Sequence, residues 1–128
     1  MKRLNLPNPT EAELAILRIL WARGVSTVRE IHDSIPPSRK VGYTTVLKTL
    51  QIMTEKGLVL RDEKQRSHIY RSSVNEEQTQ RQMIGDLLDR AFGGSSRKLV
   101  MSALSAKKAS PEELKQIRQL LDEMEQRP

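Results

Sequence analysis

No cysteine occurs anywhere in the 128 residues, which excludes a disulfide, a thiolate metal site and a cysteine nucleophile. Histidine is nearly as scarce. His32 and His68 are the two present, so a metal site would have to lean on carboxylates, and no metal or other cofactor is expected. Aromatic residues make up 3%, too few for a platform that stacks single-stranded bases. Six glycines and six prolines exclude a collagen-like chain. No apolar run approaches the roughly 18 residues that span a bilayer. The N-terminal stretch starts basic but has no apolar core, so neither a secretory signal nor a lipid partner is expected. These absences leave a small, basic, mostly helical protein of 14.7 kDa, expected in the cytoplasm.

What is present is positive charge, unevenly placed. The formal net charge is +6, and residues 1–74 carry all of that excess, with 13 Lys and Arg against 7 Asp and Glu. Residues 75–128 hold 9 of each and are neutral. Such asymmetry points to one part that meets a polyanion and another with a different task.

Helix signals divide the chain further. Thr10 and Glu13 form a capping box ahead of Leu14, Leu17, Leu20 and Trp21 at helical spacing, and Gly24 ends that helix. Thr27 and Glu30 open a second, short helix with Val28, Ile31 and Ile35 apolar, stopped by Pro36-Pro37. A third helix is predicted over Tyr43–Lys56, with Thr44 or Thr45 near its start and Gly57 after its end. Beyond it, Leu58–Arg61 and Ser67–Arg71 read as a two-stranded hairpin around a polar tip. Alternation places His68 and Tyr70 on one face, packed back on the helices. The remainder is helical: about Glu76 to Phe92, a short apolar segment from Leu99 to Leu104, and a helix opened by Ser110-Pro111-Glu112-Glu113.

Three helices and a hairpin in a basic segment follow the order of a winged helix-turn-helix. The predicted fold is mainly α with a small β-hairpin: a winged helix over 1–74, then a helical dimerisation domain over 75–128. On the third helix Val46, Leu50 and Met53 face the core, while Leu47 and Ile52 fit cleanly on neither side. Thr44, Thr45, Lys48 and Gln51 lie toward the other face, where they are candidates for base contacts in a major groove. Thr27, Arg39, Lys40, Tyr43, Lys64 and Arg66 are candidates for phosphate contacts from helix ends, turn and wing.

Specific runs carry a family resemblance. Pro9–Leu14 with Leu17–Trp21, then Thr27–Ile31, Tyr43–Leu50, Glu55–Val59, Phe92–Ser95 and Ser110–Leu114, in this order, resemble the penicillinase-repressor family. The likeness covers nearly the whole chain. It implies a bacterial repressor that binds palindromic operator DNA as a homodimer, with a winged helix followed by a dimerisation domain. Copper-responsive members end in a cysteine cluster, which this chain lacks. In antibiotic-responsive members a membrane-bound sensor metalloprotease triggers cleavage in the C-terminal domain between Asn and Phe. The matching positions here are Ser102 and Ala103, so that scissile pair is not reproduced.

The neutral part has the apolar residues for self-association. Met83, Leu87, Leu88, Phe92, Leu99, Leu104, Leu114, Ile117, Leu120 and Leu121 are too numerous for so short a segment to bury alone. Rival classes are weaker. No phosphate loop, nucleophile elbow or zinc-protease motif is present, and Gly93-Gly94-Ser95-Ser96 reads as a helix break, so no enzyme is expected. A winged helix used for protein contacts, or a small-molecule-responsive regulator, remains the alternative on sequence alone.

Overall fold

The computed structural model describes residues 6–127. Residues up to Ile84 form one compact unit, and residues from Gly85 form a second. The elements of the first unit are α1 (Glu11–Arg23), β1 (Ser26–Thr27), α2 (Val28–Ser34), a 3₁₀ turn (Pro37–Arg39), α3 (Tyr43–Lys56), β2 (Val59–Asp62) and β3 (Ile69–Ser72). Helix α4 (Glu76–Phe92) follows, then α5 (Ser96–Ala106) and α6 (Pro111–Gln126).

Both capping boxes expected in the first unit form. The Thr10 hydroxyl accepts the Glu13 amide at 3.2 Å, and the Glu13 carboxylate accepts the Thr10 amide at 2.9 Å. Thr27 and Glu30 repeat the arrangement at the start of α2. Gly24 and Gly57, at φ 88° and 85°, leave α1 and α3 through backbone that a side chain would disfavour. Helix α2 ends at Ser34, one residue before the expected Ile35, which stands in extended backbone because Pro36 follows it.

The core gathers one stripe from each helix and the inner side of the sheet. Ile16, Leu17 and Leu20 of α1 meet Val28 and Ile31 of α2, Val46, Leu50 and Met53 of α3, and Leu58, Val59 and Tyr70. Leu14, expected in this stripe, is only half-buried, and Ile16 takes its place.

The sheet has three strands, not the two of the expected hairpin. Its order is β1-β3-β2, all antiparallel, with Ser26 opposite Tyr70 and Arg61 opposite Tyr70 on the other side. Two residues are too few for a period-2 pattern, and Thr27 doubles as the cap of α2, so β1 left no trace in the sequence. Tyr70 is buried as expected, but His68 is not its partner. It precedes β3 in the exposed tip, with Nε2 3.9 Å from Glu63. The Trp21 indole N–H is shared between the Ser72 hydroxyl at 3.1 Å and the Val74 carbonyl at 3.0 Å, which ties the end of β3 to α1.

A partly buried ion pair ties α3 to α1. Lys56, the last residue of α3, donates to the second oxygen of Glu13 at 2.7 Å, and Glu13 is only 3% exposed. Burial pushes the Glu13 carboxyl up, but the Lys56 hydrogen bond, the Thr10 amide and the Lys56 charge outweigh it and hold the carboxyl below its ordinary value. The folded value therefore lies below the unfolded one. The stabilisation is present above the ordinary carboxylate range and is lost as pH falls through the lowered value. Glu13→Gln should cost about 1–3 kcal/mol near neutral pH and flatten the acid side of the stability profile. Urea unfolding from neutral to acid pH checks both; an unchanged acid slope would show that Glu13 does not carry it.

Candidate nucleic-acid interface

Helix α3 has two faces with different duties. At about 100° per residue, Thr44, Lys48, Gln51 and Glu55 fall within an arc of about 60°. That arc lies opposite Val46, Leu50 and Met53, and all four of its residues are exposed. Ile52 sits beside it, next to Lys48. Leu47 packs against the core from the margin. Thr45 is exposed but lies on the flank. With Thr49 and Arg39 it lines a cleft of about 290 Å³ against α1. Neither Thr44 nor Thr45 caps the helix: Gly42 is the cap residue and contributes no side chain.

The candidate phosphate residues fall on the hairpin tip, the turn before α3, the end of β1 and the start of α3. Lys64 and Arg66 are exposed on the tip between β2 and β3 and join no ion pair among the described residues. The tip is ordered by Asp62, whose carboxylate accepts the Lys64 amide at 2.9 Å, and by Arg61, whose guanidinium meets Glu63 at 2.9 Å. Arg39 and Lys40 lie on the turn before α3. Arg39 also lines a second cleft of about 510 Å³ with Arg18, Ile19, Ile35 and Pro36. Lys40 adopts φ 49°, a left-handed conformation uncommon outside glycine. Thr27 is half-buried, and its oxygen serves as the cap of α2. Its amide, then the Arg23 charge, hold the Glu30 carboxyl below its ordinary value. Glu30 also meets Arg23 at 3.3 Å.

Tyr43, the first residue of α3, is held by α2. The Arg29 guanidinium stands 5.2 Å from its ring centre, and the His32 ring meets it edge-on at 6.0 Å and 72°. His32 Nε2–H donates to the Val41 carbonyl at 2.9 Å, which leaves Nδ1 without a hydrogen-bond partner. Sequence reasoning missed this clamp. Its one local signal is the spacing of Arg29 and His32, three apart on α2, which puts both on one face.

The arrangement presents a polar helix face on the side away from the core. Unpaired cations stand on the preceding turn and on a β-hairpin tip, and no group of His, Asp and Glu among the described residues is placed to hold a metal ion. Comparison with known proteins agrees. The penicillinase repressor family model matches residues 9–123. This chain belongs to the penicillinase repressor family. It is 28% identical over 116 residues to the transcriptional regulator BlaI of Mycobacterium tuberculosis, covering 90% of this chain and 83% of that protein. It is 20% identical over 113 residues to the penicillinase repressor of Staphylococcus aureus, covering 88% and 90%. The solution structure of the DNA-binding domain of the repressor BlaI superposes with a TM-score of 0.50 at 20% identity, over 59% of this chain and 90% of that one. That likeness establishes the winged-helix fold. These relatives are transcriptional regulators and repressors rather than enzymes. No described helix is long and apolar enough to cross a membrane.

The Tyr43 clamp has a measurable strength. A double-mutant cycle of Arg29→Met and Tyr43→Leu should give a coupling of about 0.5–1 kcal/mol by urea unfolding. Strictly additive effects would mean that the cation and the ring do not hold each other.

Proposed function

We propose that this protein represses transcription by binding palindromic operator DNA as a homodimer. The observation that carries the reading is the outer face of α3. Thr44, Lys48 and Gln51 stand exposed on a helix whose opposite side is fixed in the core, with unpaired Arg39, Lys40, Lys64 and Arg66 before and after it. On this reading Lys48 reaches guanine O6 and N7, Gln51 reaches adenine, and Thr44 and Thr45 meet base edges. Thr27, Arg39, Lys40, Tyr43, Lys64 and Arg66 touch backbone phosphates and set the register. Residues 1–74 act as the DNA-binding domain and 75–128 as the dimerisation domain.

The second unit supports self-association. Among the described residues α5 and α6 bury none. On α6, Leu114, Ile117, Leu121 and Met124 recur at helical spacing with Leu120 beside them, and Leu120, Leu121 and Met124 are about half exposed. Leu87, Val100 and Met101 are exposed to a similar degree. Met83, Leu88, Phe92, Leu99 and Leu104 are half-buried. A second copy offers the same apolar stripe and covers it isologously. Ser102 and Ala103 are exposed on α5, so a cut there, by a membrane-bound sensor metalloprotease or another protease, separates α6 from the winged helix.

Two measurements test the reading. Operator affinity should fall roughly 10³–10⁵-fold between about 50 and 200 mM salt if the dimer neutralises about six to ten phosphates. Leu121→Asp should give a folded monomer by sedimentation that has lost operator affinity. Salt-independent binding, or a wild-type monomer at micromolar concentration, would overturn it.

A further inference from the structure

One residue on the DNA-facing side of α3 has chemistry that neither phosphates nor polar base edges satisfy. Ile52 is 43% exposed, although the next residue, Met53, is fully buried. Ile52 stands next to Lys48 on the helix, about 40° around and four residues on, which is about 6 Å along the axis. Its neighbours three and four positions away on the helix surface, Lys48, Thr49, Glu55 and Lys56, are all polar.

A major groove offers polar edges on every base pair and one apolar group, the 5-methyl of thymine. An exposed isoleucine on a helix in that groove has this single complementary partner. Base pairs are spaced by about 3.4 Å, so a side chain about 6 Å beyond Lys48 on a helix lying along the groove meets the base pair about two steps away. We propose that Ile52 is a specificity-determining residue that reads a thymine methyl about two base pairs from the position contacted by Lys48, once in each half-site. This inference rests on the operator reading above and adds to it both a base identity and a position.

The test begins with the full-length protein and a pool of random duplexes. Enrichment should yield a palindromic motif. Repeating it with Lys48→Ala marks the position that Lys48 reads, as the one whose preference relaxes. A thymine is expected about two steps from it. That thymine is then replaced by deoxyuridine in a synthetic duplex, which removes the methyl and leaves every hydrogen-bonding group in place. Wild-type affinity should fall about fourfold per half-site, as expected for one buried methyl at about 0.8 kcal/mol. Ile52→Ala should bind both duplexes equally. The wild-type comparison shows whether a methyl is read at that position, and the ratio of the two affinities for Ile52→Ala, which does not depend on the fraction of variant folded, assigns the reading to Ile52. A motif without thymine there, a wild type indifferent to deoxyuridine, or a loss shared equally by Ile52→Ala would overturn the assignment and leave the operator reading standing. No enriched motif at all would overturn both.

Discussion

On the proposed reading, the first unit is organised around a double duty of α3. A helix that inserts one face into a groove must be held by the other face alone, because the inserted side cannot be braced from within. Val46, Leu50 and Met53 supply that hold, all essentially inaccessible in the core. Burial of a stripe fixes rotation about the helix axis but constrains sliding and tilt less well. The two ends are therefore secured separately. Lys56 is tied to the buried carboxylate of Glu13 on α1, and Tyr43 is gripped by Arg29 and His32 of α2. His32 also holds the carbonyl of Val41 in the approach to the helix. A helix fixed along one face and at both ends presents Thr44, Lys48 and Gln51 in one orientation, and groove recognition requires that, since a bidentate side-chain contact tolerates little misplacement.

The same contacts sort the positive charge. Total charge says that a polyanion is attracted, but not where it lies. Pairing narrows the location. Arg23 is matched by Glu30, Lys56 by Glu13 and Arg61 by Glu63, while Arg29 lies over the Tyr43 ring. These cations serve the fold. Arg39, Lys40, Lys48, Lys64 and Arg66 form no ion pair among the described residues, and they fall on the turn before α3, on α3 and on the hairpin tip. Arg18 on α1 and Arg71 on β3 are likewise without an ion pair, so five of the seven cations described up to residue 74 that have neither an ion pair nor a ring contact stand on α3, on the turn before it or on the hairpin tip.

How much of this was legible in the sequence depended on the range of each interaction. The capping boxes at Thr10, Thr27 and Ser110 are contacts between residues three apart, and each formed as read. The bounds of α3 and α4 followed from local stops and periodicity in the same way. Elements that depend on distant partners were hidden. The strand β1 exists because β3 lies beside it, and Glu13 gave no sign that its second oxygen holds a lysine 43 residues away. His68 was misplaced because alternation was carried one residue past the true start of β3. The Thr44, Lys48 and Gln51 face of the candidate interface was legible because amphipathic periodicity is a local property. The turn of Thr45 toward α1 was not, since it depends on where α1 packs.

The second unit raises the complementary question of what covers the apolar residues of α5 and α6. Among the described residues α5 and α6 have no buried position, yet they keep a regular apolar stripe. Helices of 11 and 16 residues are marginal alone in water, so such a stripe is costly unless another surface covers it. On the proposed reading that surface is the same stripe of a second copy. One winged helix contacts few base pairs and binds near non-specific affinity, on the order of 10⁻⁴–10⁻⁶ M at physiological salt. Joining two makes the second contact intramolecular, and its gain is set by the effective concentration that the tether imposes. On that reading operator occupancy depends on the integrity of α5 and α6 as well as on the residues of α3. On the same reading, an event that separates α6 from the winged helix removes the tether without altering the reading face, so affinity is lost while the recognition chemistry stays intact.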